Sequence, residues 1–333
     1  MKNKALIGTL VALGVLVAGS LVYNNMNSSQ SVAQKDVVKV GILQFVTHEA
    51  LDQIEQGIED GLADAGFDGD NIVLTLLNSE ADQSKIQTMS KKLVNDGNDI
   101  LIGIATPAAQ GLASATSDIP VVMGAISDPV GAKLVKNLEE PEANVTGTSN
   151  QVPTGQTVDL ITSITPDAKT IGILYASSED NSVSQVESFT QYAEEAGLTV
   201  VPYAVPSTNE ITTTMAVMTT KVDAIWVPQD NTIASAFTTV LSAANQAKIP
   251  VYSTVDTMVK QGSLAAINQS QYDLGVETAK IAVKLLNGKE VKDVPVSVID
   301  TGTPTLNLKA AKELGITIPD SVLKEAEIAV EVD

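Results

Sequence analysis

The chain is predicted to be an α/β protein of two doubly wound, parallel-sheet lobes joined by a multi-strand hinge. Three observations carry this reading. Short β-branched runs alternate with longer amphipathic stretches from Lys35 onward, the pattern of a parallel sheet covered by helices on both faces. A strand-helix unit of the first half recurs in the second. Removing a leader of about 35 residues leaves just under ~300, a length that the usual domain size divides into two.

The leader comes first. Lys2 and Lys4 precede an uncharged apolar run from Ala5 to Val22, and a polar stretch follows from Asn24 to Gln34. Residues 1–35 therefore read as an export signal or membrane anchor plus a polar linker. The run spans 18 residues, between a long signal core and a short membrane span. Ser31-Val32-Ala33 offers a small-residue cleavage pattern, so release and retention both stay open. Either way, the lysines place the body outside the cytoplasm.

Val37 to Leu43 reads as the first strand, and Leu51, Ile54, Ile58 and Leu62 as the buried stripe of the next helix. Strands follow at Val73–Leu77, Ile100–Ile104 and Val121–Gly124, with helices near Ser84–Asn95 and Pro107–Ala115 between them. Gly41-Ile42-Leu43 followed by Ala65-Gly66 returns as Gly172-Ile173-Leu174 followed by Ala196-Gly197, at a constant offset of 131 residues. Asp99-Ile100-Leu101 and Ile119-Pro120-Val121 are echoed by Asp223-Ala224-Ile225 and Ile249-Pro250-Val251. Duplication and convergence both give such echoes, and both give two similar lobes. The tail reads as a strand at Leu264–Asn268, a helix at Leu274–Leu286 ended by Asn287-Gly288, a strand at Val294–Ile299 and a helix at Leu308–Leu314. Chain crossings near Thr148–Pro153, Asn268–Tyr272 and Asp300–Thr303 then assign 36–150 with 272–299 to one lobe and 151–271 with 300–333 to the other.

Composition narrows the function. Forty acidic residues against twenty basic ones give a net charge of −20, a field that repels polyanions, so no nucleic-acid partner is expected. The chain has no cysteine, hence neither a disulfide framework nor a thiolate metal site. Every basic residue is lysine, so no guanidinium fork is available to grip a carboxylate. The single histidine, His48, precludes a multi-histidine metal site and reads as a loop-to-helix junction residue rather than a catalyst. With no Gly-rich phosphate loop and no nucleophile–base pair, the expectation is no enzyme, no cofactor and no metal.

In an open parallel sheet, ligands bind beyond the carboxyl ends of the strands. Thr106-Pro107-Ala108 is a helix start with a threonine, an early proline and small residues, suited to a carboxylate, although an ordinary cap has the same look. Asp128 after Ser127, and Asp230 between Gln229 and Asn231, follow strands in corresponding halves. Each is either the partner of an ammonium group or, respectively, a turn-former and a helix cap. Phe45 and Tyr175 hold matching places after the first strand of each lobe, where they sandwich a flat group or sit as loop aromatics. Ser177, Ser178 and Asn181 offer donors and acceptors in a βα loop. Asn78 lies at a first-lobe strand end, Asp256 in the second-lobe loop Ser253–Asp256, and Ser149 in the first crossing. Trp226, inside a strand, reads as core.

The stretches VGILQFVTHEALD, NSEADQSK, GIATPAAQGLASAT, SDPVGAKLV, NVTGTSN, YASSEDNS and VDAIWVPQDNTIAS resemble the extracellular solute-binding proteins of ABC transporters, closest to the tryptophan- and tyrosine-binding members. The resemblance runs from Val37 to the C-terminus. It implies a type I periplasmic-binding-protein fold, a membrane permease and a cytoplasmic ATPase as partners, and an aromatic amino-acid ligand trapped by hinge closure. Carried over residue by residue, it gives Phe45 to the ring, Asn78, Thr106 and Ser127 to polar anchoring, and Asp128 and Asp230 to the ammonium. A sugar or nucleoside receptor is the alternative. The sequence departs from the pattern of lipid-anchored relatives, because Val17-Ala18-Gly19 is followed by Ser20 rather than cysteine. Lipid anchoring is thereby ruled out and the N-terminal segment is left as the tether.

Overall fold

The computed structural model describes residues 37–332. The leader assigned to residues 1–35 lies outside them; among the described residues, no helix is long and apolar enough to cross a membrane.

Strand β1 (Val38–Gln44) enters the core with Val40, Ile42 and Leu43 fully buried. Helix α1 (Glu49–Asp64) returns along it, burying Leu51, Ile54, Ile58 and Leu62 at the expected spacing. β2 (Ile72–Asn78) leads to α2 (Gln83–Asn95), whose start is fixed by Asp82 accepting from the N–H groups of Ser84 and Lys85. β3 (Ile100–Ile104), α3 (Thr106–Ala115), β4 (Val121–Ile126) and β5 (Val145–Asn150) complete the first pass. The crossing expected at Thr148–Pro153 therefore begins later: residues 145–150 form a wholly buried strand between β4 and the later strand Ser297–Ile299.

The second pass runs α4 (Thr154–Ile164), β6 (Thr170–Ala176), α5 (Asp180–Glu195), β7 (Thr199–Val205), α6 (Ile211–Met218) and β8 (Ala224–Trp226). It continues through α7 (Asn231–Ser235), α8 (Phe237–Ala247), β9 (Val251–Ser253), α9 (Asp256–Gln261) and β10 (Ala265–Asn268). Helix α10 (Gln271–Leu286) and β11 (Ser297–Ile299) recross to the first sheet. Then β12 (Thr303–Asn307), α11 (Leu308–Leu314), α12 (Asp320–Glu325) and β13 (Glu327–Val330) finish on the second. The six-stranded sheet has the order β11-β5-β4-β3-β1-β2 and the seven-stranded sheet β13-β12-β10-β9-β8-β6-β7. Each contains the same five-strand core order, β2-β1-β3-β4-β5 and β7-β6-β8-β9-β10, so the internal echo in the sequence is an echo of topology. Pairings are parallel throughout except β10 with β12.

Trp226 is core as expected, stacked on Phe189 with ring centroids 4.1 Å apart. Gln269, in the second crossing, ties all three chain passages together. Its Nε2 donates to the carbonyl oxygens of Gln151 (3.0 Å), Ile299 (3.1 Å) and Thr301 (3.3 Å).

Helices α1 and α10 approach closely because small residues face each other. A Cβ on Gly57 would lie 2.2 Å from the Tyr272 carbonyl oxygen, and one on Gly275 would lie 2.1 Å from that of Ile54. Both obstacles are backbone, which cannot rotate away, so the helices would have to separate. Gly57→Ala is expected to destabilise the fold by about 1–3 kcal/mol, the usual cost of overpacking, despite the better helix propensity of alanine. Urea denaturation of the purified chain checks this; an unchanged midpoint would show that the helices are free to slide.

Candidate functional site

The carboxyl ends of both sheets meet around one cavity of about 480 Å³, the part open to solvent included. Its first-lobe wall is built by the loop after β1 and the start of α1 (His48, Ala50, Leu51, Ile54), the ends of β3 and β4 (Ala105, Thr106, Ala125, Ser127) and the end of β5 (Asn150). The second lobe supplies Asn181 at the start of α5, Gln229, Asp230, Asn231 and Ala234 after β8, and Thr254, Val255 and Met258 after β9. Gln271 closes the hinge side.

Two first-lobe wall residues have unusual backbones. Ala105 (φ 74°) and Ala125 (φ 59°) are non-glycine residues at positive φ. Such strain persists where surrounding structure over-determines it, and it concentrates at ligand sites. Ala105 precedes α3, whose first turn carries Pro107 and whose first intrahelical bond is Ala109 N–H to the Ala105 carbonyl, 3.1 Å. The N–H groups of that first turn and the helix dipole make this the anion-favouring end of the cavity.

Hydrogen bonds between neutral groups cross the cleft. Gln185 Nε2 donates to Ser127 Oγ (3.0 Å), Gln185 Oε1 accepts from Gln229 N–H (2.8 Å), and Gln229 Oε1 accepts from Asn150 Nδ2 (3.0 Å). Asn181 Nδ2 donates to the Gln229 carbonyl (2.8 Å). Since each amide nitrogen is thus engaged, the orientation of both asparagines is determined. Their oxygens, Asn150 Oδ1 and Asn181 Oδ1, are buried and have no partner. Two free acceptors on facing walls call for a multi-donor cation such as an ammonium group.

Behind this polar end lies Glu179, fully buried. Its carboxylate accepts from Asn231 N–H (3.2 Å) and Nδ2 (2.6 Å), and from Thr232 N–H (2.8 Å) and Oγ1 (2.7 Å). Asp230 accepts from Ala176 N–H (2.6 Å), Ser182 Oγ (2.7 Å) and Ile233 N–H (2.8 Å). Burial, and secondarily the neighbouring Glu179, push its carboxyl well above the usual carboxylate range against those three donors.

The structure sorts the residues expected at the site. Thr106, Ser127, Asn181, Gln229, Asp230 and Asn231 come together on the cavity wall. Asp230 caps α7, and its donors all come from its own lobe, so the free acceptors for an ammonium are the amide oxygens beside it. Asp128 is corrected to a turn-former: it accepts from Gly131 N–H at 2.8 Å and is off the wall. Phe45 and Tyr175 do not form a sandwich. Phe45 is 1% exposed in the first core and Tyr175 packs against the second, because the residues at these strand ends still face inward.

Pro107 and Ala108 are buried in the first turn of α3 without lining the cavity, and Ser149 is buried within β5. Asn78 braces its own loop through Thr47 Oγ1 (2.9 Å) and Glu80 N–H (2.8 Å). Ser177 and Ser178 are exposed, and Asp256 pairs with Lys260 at 2.6 Å. The apolar wall residues Ala50, Leu51, Ile54, Val255 and Met258 carry no motif; only their place in a strand-end loop or the following helix marks them. Asn150 was hidden by its reading as part of a crossing.

His48, half-buried, bridges the cleft to Asn231 Oδ1 at 3.2 Å. Asn231 Nδ2 is held by Glu179, so its oxygen faces the imidazole and His48 Nε2 carries the proton.

A model of the ABC transporter substrate-binding protein family matches residues 39–330. A tyrosine-binding protein of Clostridioides difficile is 36% identical over 321 residues, covering 94% of this chain and 93% of its own. The crystal structure of an ABC domain from Streptococcus pneumonia in complex with L-Trp is 58% identical, superposes with a TM-score of 0.87, and is covered to 99% by 88% of this chain. The ligand-free, open structure of a Clostridium difficile substrate-binding protein with adhesive properties is 37% identical and superposes at 0.68, with 89% and 100% coverage. More distant solute-binding proteins, 13–14% identical, share the type I architecture alone.

Desolvation in the cleft lowers the His48 imidazole below its ordinary value of 6.5, outweighing the opposing effects of Asn231, Glu179 and Asp52. The unfolded chain then binds the proton more readily. Stability from this site is full above about pH 6.5 and declines as pH falls toward the lowered value. Asp230, raised instead, favours the folded chain at low pH and loses that contribution as pH rises through its own value. His48→Gln is expected to reduce the loss of stability between pH 7.5 and 5.5; identical urea midpoints for wild type and variant at both pH values would remove His48 from the linkage.

Proposed function

The chain belongs to the ABC transporter substrate-binding protein family, and from that premise we propose that it captures a free aromatic L-amino acid, tryptophan first, outside the cytoplasm. The carrying observation is the pair of partnerless amide oxygens, Asn150 Oδ1 and Asn181 Oδ1, one from each lobe on the wall of the same cavity. The α-ammonium satisfies both. The α-carboxylate takes the first turn of α3 and the side chain of Thr106, which does the work of the absent arginines. The ring lies against Ala50, Leu51 and Ile54 on one side and Val255 and Met258 on the other.

The 58% identical L-Trp complex supports tryptophan, and the 36% identical tyrosine-binding protein supports the aromatic class. No Phe, Tyr or Trp side chain lines the cavity, which leaves a sugar without a stacking platform. The superposition scores support a closed conformation, with lobes that part about the Gln269 hinge to admit ligand. The chain then presents its load to a membrane permease driven by a cytoplasmic ATPase. Its N-terminal segment serves as tether or is removed on export.

Calorimetry of the full chain is expected to give micromolar or tighter binding of L-tryptophan, about −8 kcal/mol or more, and no heat with glucose or uridine. Asn181→Leu is expected to weaken tryptophan by ~1.5–3 kcal/mol, the value of a hydrogen bond to a charged group. Saturable sugar binding without amino-acid binding would overturn the ligand class, and an unaltered Asn181→Leu isotherm would move the ammonium elsewhere.

A further inference from the structure

The cavity has one more polar atom without a partner, and it lies on the apolar side. Thr254 is 2% exposed, yet its Oγ1 neither donates nor accepts a hydrogen bond. It sits between the end of β9 and α9, continuous in the chain with Val255 and Met258, which form the second-lobe face opposite Leu51 and Ile54. Of the other polar side chains on the cavity wall, His48 Nε2 bonds Asn231 and Gln271 Nε2 donates to the Gln269 carbonyl at 2.7 Å. A buried hydroxyl stripped of water is unfavourable until something pairs with it.

We propose that Thr254 is a specificity-determining residue that reads the heteroatom of the ligand's ring, its hydroxyl oxygen accepting the indole N–H. This rests on the aromatic amino-acid reading above and adds the chemical basis of selection within that class. An indole N–H only donates, a phenol both donates and accepts, and a phenyl ring does neither. A wall of Leu, Ile, Val and Met grades rings by size, which discriminates weakly. A fixed polar partner discriminates strongly, since a ring without a donor leaves the hydroxyl unpaired. Threonine suits the position because its methyl group continues the apolar wall and its branched Cβ restricts rotation about χ1.

The test uses the full chain with L-tryptophan and L-3-benzothienylalanine, in which sulfur replaces the N–H at nearly constant shape. Wild type is expected to prefer tryptophan about tenfold, a factor typical of one hydrogen bond. Thr254→Val is expected to bring the two affinities within about twofold, chiefly by weakening tryptophan. Thr254→Ser is expected to restore the preference. The melting temperature of Thr254→Val should stay level or rise, since the substitution removes an unpaired polar atom without changing volume. Preference retained in Thr254→Val, or lost equally in Thr254→Ser, overturns the role of Thr254 while leaving the ligand class intact. Failure of wild type to bind tryptophan at all overturns the ligand assignment and this role together.

Discussion

The closed cleft depends on one buried carboxylate. Glu179 has no exposed surface, and four donors from Asn231 and Thr232 converge on it. A fifth, longer contact comes from Asn181 Nδ2 at 3.3 Å. The loops after β6 and β8 are thereby locked to each other, since Glu179 belongs to the first and its donors chiefly to the second. Without that lock, Asn231 would be free to flip and the His48 bridge would lose its acceptor. A carboxyl group buried at such depth needs its oxygens answered by donors, and here they are. Burial, and then the neighbouring Glu179, push the carboxyl of Asp230 beside it well above the usual range. The cleft floor is thereby lined by a set of oriented amides.

Much of this was legible in the sequence, and the failures have physical causes. The alternation that placed β1, α1 and β3 is enforced by burial on both faces of a parallel sheet, so the apolar runs had to be continuous. The matching glycines at 41 and 172 marked the same strand of each lobe. β13 and the recognition of 145–150 as a strand escaped. Val145–Asn150 is rich in Thr, Ser, Asn and Gly, and its polar side chains are buried against hinge partners, as Thr146 Oγ1 shows in bonding the Val294 carbonyl at 2.7 Å. Polar composition there reflects long-range pairing, which local periodicity does not encode.

At the site the lesson is similar. Thr106, Ser127, Asn181, Gln229, Asp230 and Asn231 were legible because polar residues just beyond strand ends have few other reasons to cluster. Phe45 and Tyr175 were misplaced because aromatic character was weighed above direction. Phe45, one residue past β1, still faces the core, and Tyr175, inside β6, packs against the other. The apolar wall was invisible for the converse reason: Leu51 and Ile54 fit a core stripe as well as a cavity lining, and the helix uses the same face for both.

The absence of arginine has a consequence for function as well as for binding. A buried guanidinium–carboxylate clamp is stable only while intact, and opening it would leave charges to be resolvated within a cleft. Of the side-chain bridges between the lobes, Ser127–Gln185, Asn150–Gln229 and His48–Asn231 are neutral pairs, and Gln110 Nε2 donates to the exposed Asp180 carboxylate at 2.9 Å. Each neutral bridge exchanges for water at a net cost of about 1 kcal/mol, so no single one of them holds the lobes together. A zwitterion bound as proposed would bring its own charges to a helix end and two amide oxygens, with no arginine needed. Once those contacts are withdrawn, the remaining neutral bridges present a low barrier to reopening, which is the condition for delivering a ligand rather than merely retaining it.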